Sequence, residues 1–338
     1  MILFDAIYIN NGGGKVLLDY LISELNKTNI SIFYLLDKRL KGIYPFLPKN
    51  CTKYVDSNII IRQFFYTNEI NKFNFVFCFG NVPPFSSLKI PVYVYFHQLF
   101  FLDNNPLIRH DLIFYLKKSF LKIIKFNAQK WIVQTGNVKQ LMLEKWKIPE
   151  DNILVVPFYP PLINNEPNTF SKVKNSFLYV SDGNVYKNHK LLFDAFKIAF
   201  TIDSSLTLGV TISKNYPRLI SEIDHLVKSG VNIFNYGLLN RTELSKIYAK
   251  SEYLIYPSLG ESFGLGIIEG IEMGCKVIGA SLPYMKSVCV PSLTFDPTVM
   301  SSIKDAIVSA SKNRLQPSIL LAENEIQNLI KIFFQFNR

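Results

Sequence analysis

The chain has 338 residues, a length that favours two domains, and with 49% of them apolar and 19% charged it reads as a folded globular protein and not a disordered one. Its formal net charge of +11 implies an anionic partner, which could be nucleic acid, an anionic membrane surface or phosphorylated small molecules. The four cysteines (Cys51, Cys78, Cys275 and Cys289) are far apart and form no Cys-x-x-Cys pair, so neither a disulfide framework nor a zinc site is expected, and a reducing compartment is.

The first residues, MILFDAIYIN, lack a basic leader and are broken by Asp5, so they read as a buried strand rather than a signal peptide. No stretch approaches the ~18 uninterrupted apolar residues of a membrane span, and the expected location is cytoplasmic. After this strand come the turn GGGK and a helical pattern, VLLDYLISELNK. SIFYLL, FNFVFCFG, PVYVYFH, KWIVQT and ILVVPF follow as further strands. Between PVYVYFH and ILVVPF, residues 110–131 predict an amphipathic helix. Lys117, Lys118, Lys122 and Lys125 share one arc, and Leu112, Ile113, Leu116, Phe120 and Ile123 gather on the other side. The pattern suits attachment to an anionic leaflet, and equally a crossover helix with a solvated lysine face.

The Pro- and Asn-rich segment 161–174 predicts an interdomain linker, and the strand–helix alternation then restarts with SFLYVS. Helix LLFDAFKIAF, strand SLTLGVTI, helix RLISEIDHLVKSG, strand VNIFNYG, helix TELSKIYAKS and strand YLIYPS lead to a glycine-rich turn and a helix ending at Met273. KVIGA is a last strand, and the tail from about Ser318 is expected to be helical. The alternation predicts an α/β chain of two Rossmann-like, doubly wound parallel-sheet domains facing across a cleft, with ligands at the carboxyl ends of the strands. The expected boundaries are 1–160 for an N-terminal domain and 175–315 for a nucleotide-binding C-terminal one. A helix over 316–338 is expected to pack back on the first domain.

The segment YLIYPSLGESFGLGIIEGIEMGCKVIGASLPY carries the most chemistry. A buried strand ends at Pro257, glycines loosen the turn, and a helix begins, so free backbone N–H groups and the positive helix end are available to a diphosphate. Glu261 lies on the turn and Glu269 inside the helix, with seven residues between them. The first can face a sugar at the helix mouth. The second, about two turns deeper, can accept from the neighbouring hydroxyls of a ribose.

With Phe263, Gly264 and Leu265 between the two acids, this segment resembles the signature of the large retaining family four of glycosyltransferases, which have the GT-B fold. KVIGASLPYMKSV and LTFDP resemble the elements that follow it in that family. The resemblance implies that Glu261 contacts the donor sugar and Glu269 binds the ribose. The turn residues Ser262, Phe263, Gly264 and Leu265 would meet sugar and phosphate. Lys187, between a strand and a helix, can offer an ammonium to the leaving diphosphate. Relatives carry an Arg five or six residues ahead of this Lys, and here Ser181 and Asp182 stand there. The resemblance also points to Gly13 and Gly14 after the first strand, where the backbone approaches donor or acceptor, although three glycines also make an ordinary tight turn. It further implies His97 beside the transferred sugar and Tyr236 and Gly237 along the nucleotide base.

The expected activity is a retaining hexosyl transfer from a UDP- or GDP-linked donor, as substrate, to a glycan or lipid-linked acceptor in bacterial surface-polysaccharide synthesis (O-antigen, capsule or lipopolysaccharide). No cofactor or nucleic-acid partner is expected, and no metal either, since the histidines are scattered and Asp-x-Asp is absent. A sugar-nucleotide epimerase of the same fold and a catalytically silent sugar-nucleotide-binding module remain as alternatives.

Overall fold

A computed structural model of the chain describes residues 1–102, 111–162 and 171–337. Most of the expected linker, and His110 at the start of the expected basic helix, lie outside these described residues. The strands and α-helices run β1 (Ile2–Ala6), α1 (Gly12–Asn26), β2 (Ile32–Asp37), β3 (Thr52–Val55), α2 (Ile59–Glu69), β4 (Phe75–Phe79), β5 (Val92–Phe96), α3 (Leu112–Ile124), β6 (Lys130–Val133), α4 (Gly136–Leu141) and β7 (Ile153–Val155). They continue with β8 (Val173–Tyr179), α5 (His189–Ile202), β9 (Thr207–Val210), α6 (Pro217–Lys228), β10 (Ile233–Asn235), α7 (Arg241–Lys250), β11 (Ser251–Tyr256), α8 (Leu265–Glu272), β12 (Lys276–Ala280), α9 (Pro283–Val288), β13 (Cys289–Val290), β14 (Leu293–Phe295), α10 (Met300–Lys312), β15 (Ile319–Leu320) and α11 (Ile326–Phe336). Two compact units result, one from residues 1–102, 111–160 and 323–337 and the other from residues 161–162 and 171–322.

The first unit is built on a seven-stranded parallel sheet in the order β3-β2-β1-β4-β5-β6-β7. Strands of such a sheet are covered on both faces, which is why they read as unbroken apolar runs. One face is aromatic: Phe4 stacks on Phe77 with ring centroids 5.6 Å apart. Helix α11 closes this face, with Phe333 4.7 Å from Phe77 and Phe336 stacked on Phe75 at 4.0 Å. The second unit has a six-stranded parallel sheet in the order β10-β9-β8-β11-β12-β14.

Four local expectations need correction. The glycine run is not a turn preceding a helix but the first turn of α1, which starts at Gly12. The helix expected over 110–131 ends at Ile124, because Asn127 donates to the carbonyls of Pro84 (2.9 Å) and Phe85 (2.7 Å) and the chain then enters β6. The basic arc is also smaller. Lys118 is buried and donates to the Phe100 carbonyl at 3.1 Å, Lys125 donates to the Trp146 carbonyl, and only Lys117 and Lys122 are exposed. The tail is not helical from Ser318, since β15 is captured as an antiparallel partner of β13 before α11 begins.

Asp5, the residue that interrupts the first apolar run, is buried on β1. Its carboxylate accepts from Arg62 Nε at 2.6 Å and Tyr66 Oη at 2.7 Å. Arg62, from α2, also donates to the Pro83 and Val82 carbonyls, so the pair ties helix, strand and loop together. Removing one partner of a buried pair leaves the other charge uncompensated. Arg62→Leu should therefore lower the unfolding free energy by about 3–5 kcal/mol. An unchanged urea midpoint would show that the pair does not hold α2 to the sheet.

Candidate active site

In the second unit the chain leaves β8 towards β9 on one side and crosses to β11 on the other, so β8 and β11 flank the topological switch point. Two loops leave their carboxyl ends. The first runs from Ser181 through the short turn Val185–Lys187 to α5. The second runs from Pro257 to Gly264 and opens α8. They are joined by backbone, Leu259 N donating to the Tyr186 carbonyl at 2.8 Å. Asn188, in the left-handed region at φ 62°, donates its side-chain amide to the carbonyls of Pro257 and Pro297.

This junction brings Lys187 and Glu261 together: Nζ lies 2.7 Å from Oε1, and each side chain is 11% exposed. Tyr256 Oη donates to the same carboxylate oxygen at 3.3 Å, and the ammonium lies 5.0 Å from the Tyr186 ring centroid. Burial alone would lower the Lys187 ammonium, but the Glu261 carboxylate outweighs it and holds the pKa above the usual lysine range. Lys187 is thus a fixed, permanently charged cation at the switch point. Asp182, which stands near where relatives carry Arg, is exposed and turned onto its own loop. Its carboxylate accepts from Asn184 N (3.2 Å) and Nδ2 (2.6 Å).

Glu269 is buried on α8, only 4% exposed. Its Oε1 accepts from Arg241 Nη1 at 2.8 Å, and its Oε2 from Tyr248 Oη at 3.3 Å. Burial raises its pKa above the ordinary carboxyl value, and Arg241 and Tyr248 pull it back. Gly264, at φ 81°, is the residue before α8, and its conformation turns the chain into the helix. The first N–H groups of a helix have no partner within it, so Leu265 and the residues beside it open α8 towards this loop. Ser262 is half-buried and Phe263 buried.

Tyr236 and Gly237 follow β10, which lies two strands from β8, and no hydrogen bond joins them to the Lys187–Glu261 pair. The Tyr236 ring lies over Gly209, where a Cβ would meet it at 2.7 Å, and Gly237 N donates to Asn235 Oδ1. Gly13, Gly14 and His97 belong to the first unit. There the carboxyl ends of β1, β4 and β5 bring α1's first turn close to His97: a Cβ on Gly14 would lie 3.3 Å from Nε2. His97 N donates to Asn81 Oδ1 at 2.6 Å, and Asn81 Nδ2 lies 3.4 Å from the ring Nε2. Burial lowers the His97 pKa to about 4, so the ring is neutral near pH 7.

Several neighbours escaped the sequence reading. Arg241 and Tyr248 sit on a helix whose start is visible in the pattern Asn240–Glu243, but nothing in that pattern aims them at Glu269. His189, whose ring Nε2 donates to the Asp182 carbonyl at 2.8 Å, fixes the first loop from the start of α5. Asn81 could have been found as a polar residue directly after a buried strand and a glycine. Among the described residues, no cluster of His, Cys, Asp and Glu could hold a metal ion.

The model of the family "Glycosyl transferases group 1" matches residues 163–324, which include every site residue of the second unit. The second unit is thus similar to the group 1 glycosyltransferases, and the two parallel-sheet α/β units have the GT-B fold. Among solved structures, HepE of Anabaena in complex with UDP and glucose is similar with a TM-score of 0.68 at 11% identity, covering 100% of this chain and 95% of that one. The apo lipopolysaccharide outer core galactosyltransferase WaaB is similar with a TM-score of 0.63 at 13% identity, over 99% and 95%. For TarM of S. aureus, in complex with Fondaparinux, alpha-GlcNAc-glycerol and UDP, the TM-score is 0.58 at 16% identity. The match covers 78% of this chain but spans only 54% of TarM. At such identities the likeness shows the fold alone. A comparison with curated proteins finds no match.

The bend at Gly264 allows a local test. An L-residue in the left-handed region costs about 1–2 kcal/mol, and a Cβ would lie 2.7 Å from Ile267 Cδ1. Gly264→Ala should destabilise the second unit by at least that amount, read from its denaturant midpoint. A midpoint equal to wild type would mean that the bend does not depend on glycine.

Proposed function

We propose that the chain is a retaining glycosyltransferase of family four that moves a hexose from a UDP- or GDP-linked donor to a glycan or lipid-linked acceptor. The observation that carries this reading is the buried Lys187–Glu261 pair at the mouth of α8. A departing diphosphate places negative charge beside the pair, and the ammonium and the first amides of α8 stabilise it without a metal ion. The arriving donor competes with Glu261 for Lys187, which frees the carboxylate to accept from the sugar hydroxyls. Ser262, Phe263, Gly264 and Leu265 contact sugar and phosphate, Glu269 accepts from the ribose, and Tyr236 and Gly237 lie along the base. In the first unit, neutral His97 is assigned to the transferred sugar, and Gly13 and Gly14 to backbone contact with substrate. The acceptor hydroxyl attacks from the face the leaving group departs, with the departing phosphate as base.

HepE, with UDP and glucose bound, supports a UDP-hexose donor, and WaaB supports a role in bacterial surface-polysaccharide or lipopolysaccharide assembly. Transfer or donor hydrolysis assayed with a panel of UDP- and GDP-sugars tests the reading directly. Lys187→Ala should lower turnover by about 10²–10³-fold, and Glu261→Ala by orders of magnitude, with the fold retained. Wild-type turnover in either variant removes that residue from the mechanism. Nucleotide binding without transfer to any acceptor, or hydrolysis, would favour a silent binding module.

The acceptor side is proposed to work as a peripheral protein at an anionic membrane surface on the cytoplasmic side. Helix α3 exposes Leu112, Ile113, Leu116 and Ile123, with Phe126 just beyond it, and Lys117 and Lys122 are exposed on the same helix. An exposed apolar stripe of this size needs a cover, and lysines beside it favour anionic headgroups. Among the described residues no helix is long and apolar enough to cross a membrane. Co-sedimentation with phosphatidylglycerol vesicles is expected, and it should weaken when Leu116 and Ile123 become Ser or when Lys117 and Lys122 become Glu. Equal sedimentation with and without vesicles at low salt would remove this partner.

A further inference from the structure

Glu269 is the more deeply enclosed of the two acids, and among the described residues its charge has a single cationic partner at hydrogen-bond distance, Arg241. Arg241 is the first residue of α7, and that start is fixed on both sides. Asn240 Oδ1 accepts from Glu243 N at 3.0 Å, and Glu243 Oε2 accepts from Asn240 N at 2.9 Å, a reciprocal capping box. The guanidinium is therefore rooted at a rigid helix end. One nitrogen reaches Oε1 of Glu269, and Nη2 donates to the Pro161 carbonyl at 3.4 Å. From the same helix, Tyr248 Oη reaches the other carboxylate oxygen and lies 3.3 Å from the Gly266 carbonyl.

We propose that Arg241 is a positioning residue for donor binding, which keeps Glu269 ionised and fixes the direction in which its carboxylate accepts from vicinal hydroxyls of the nucleotide. The inference rests on the proposed role of Glu269 and goes beyond it by naming what makes that role possible. An ionised carboxylate accepts at about four lone-pair sites, so one donor from Arg241 and one from Tyr248 leave two for a pair of ribose hydroxyls. A protonated Glu269 would become a donor at one oxygen and lose the two-hydroxyl geometry.

The charged and titratable groups facing Glu269 are Arg241 and Tyr248 from α7 and Glu272 from its own helix. Tyr248 is held well above the usual phenol range, first by burial and then by Glu269, so it stays a neutral donor. Glu272, raised chiefly by burial, adds repulsion when ionised. Among the described residues, Arg241 is the group that offsets burial and Glu272 with a full positive charge. Without it the carboxyl titrates higher, and the ionised form is lost at a higher pH than in the wild type.

Calorimetric titration of the full chain with UDP and with GDP, across mildly acidic to mildly alkaline pH, tests this. An opposite charge at this range moves a carboxyl by about one to three pH units. Arg241→Gln, which keeps a hydrogen-bond donor without the charge, should therefore bind about tenfold or more weakly at neutral pH. It should recover towards wild type as pH rises, while Arg241→Lys stays within a few-fold of wild type throughout. Glu269→Gln should be weak at every pH. Wild-type affinity in Arg241→Gln, or an equal loss at all pH values, overturns the positioning role of Arg241. If instead Glu269→Gln binds like wild type, or wild type binds neither nucleotide, the proposed role of Glu269 itself falls.

Discussion

A lysine ammonium and a glutamate carboxylate, 2.7 Å apart and nearly enclosed, stand at the point where the second sheet changes direction. Taking both charges out of water costs several kcal/mol per ion, and an apolar pair of the same volume would serve folding as well. The pair makes chemical sense as a stored electrostatic device. Lys187 is anchored through its own carbonyl, which accepts from Tyr179 Oη at 2.8 Å, and Glu261 is anchored through Tyr256. Lys187 is already held in place when a diphosphate arrives, and the movement required is the turn of Glu261 away from the ammonium.

The rest of the second unit serves this junction. The parallel strands bring two loops to one edge, Tyr186 and Leu259 join them by backbone, and Tyr284 Oη holds the Ser258 carbonyl at 2.8 Å. The same logic is repeated one step deeper, where Arg241 and Tyr248 hold Glu269. Two acids in one short segment are thus set apart by their partners. One is shared with a lysine that a substrate can claim, and the other is fixed by an arginine and a phenol.

Much of this was legible in the sequence because parallel strands buried on both faces leave apolar runs, and because a glycine bend between two glutamates has few structural uses. The missed elements have local reasons. Helix α2 begins with Ile59, Ile60 and Ile61, a β-branched run that hides helical period, and its start is set by Asn58, whose side chain accepts from Ile60 N and Ile61 N. Helix α3 was read too long because Trp131, Ile132 and Val133 continue an apolar pattern after it. Burial of Lys118 could not be seen at all, since its ammonium answers a carbonyl, that of Phe100, from a distant turn. Arg241 stayed hidden for the same reason: its partner is 28 positions away on another helix.

The central claim, that Lys187 and Glu261 exchange each other for the donor, is tested most directly by a crystal structure of the chain with UDP or GDP bound. The account predicts a terminal phosphate oxygen at about 2.7–2.9 Å from Lys187 Nζ, with Glu261 turned away from the ammonium. A diphosphate seated elsewhere while the Lys187–Glu261 pair stays closed would contradict it.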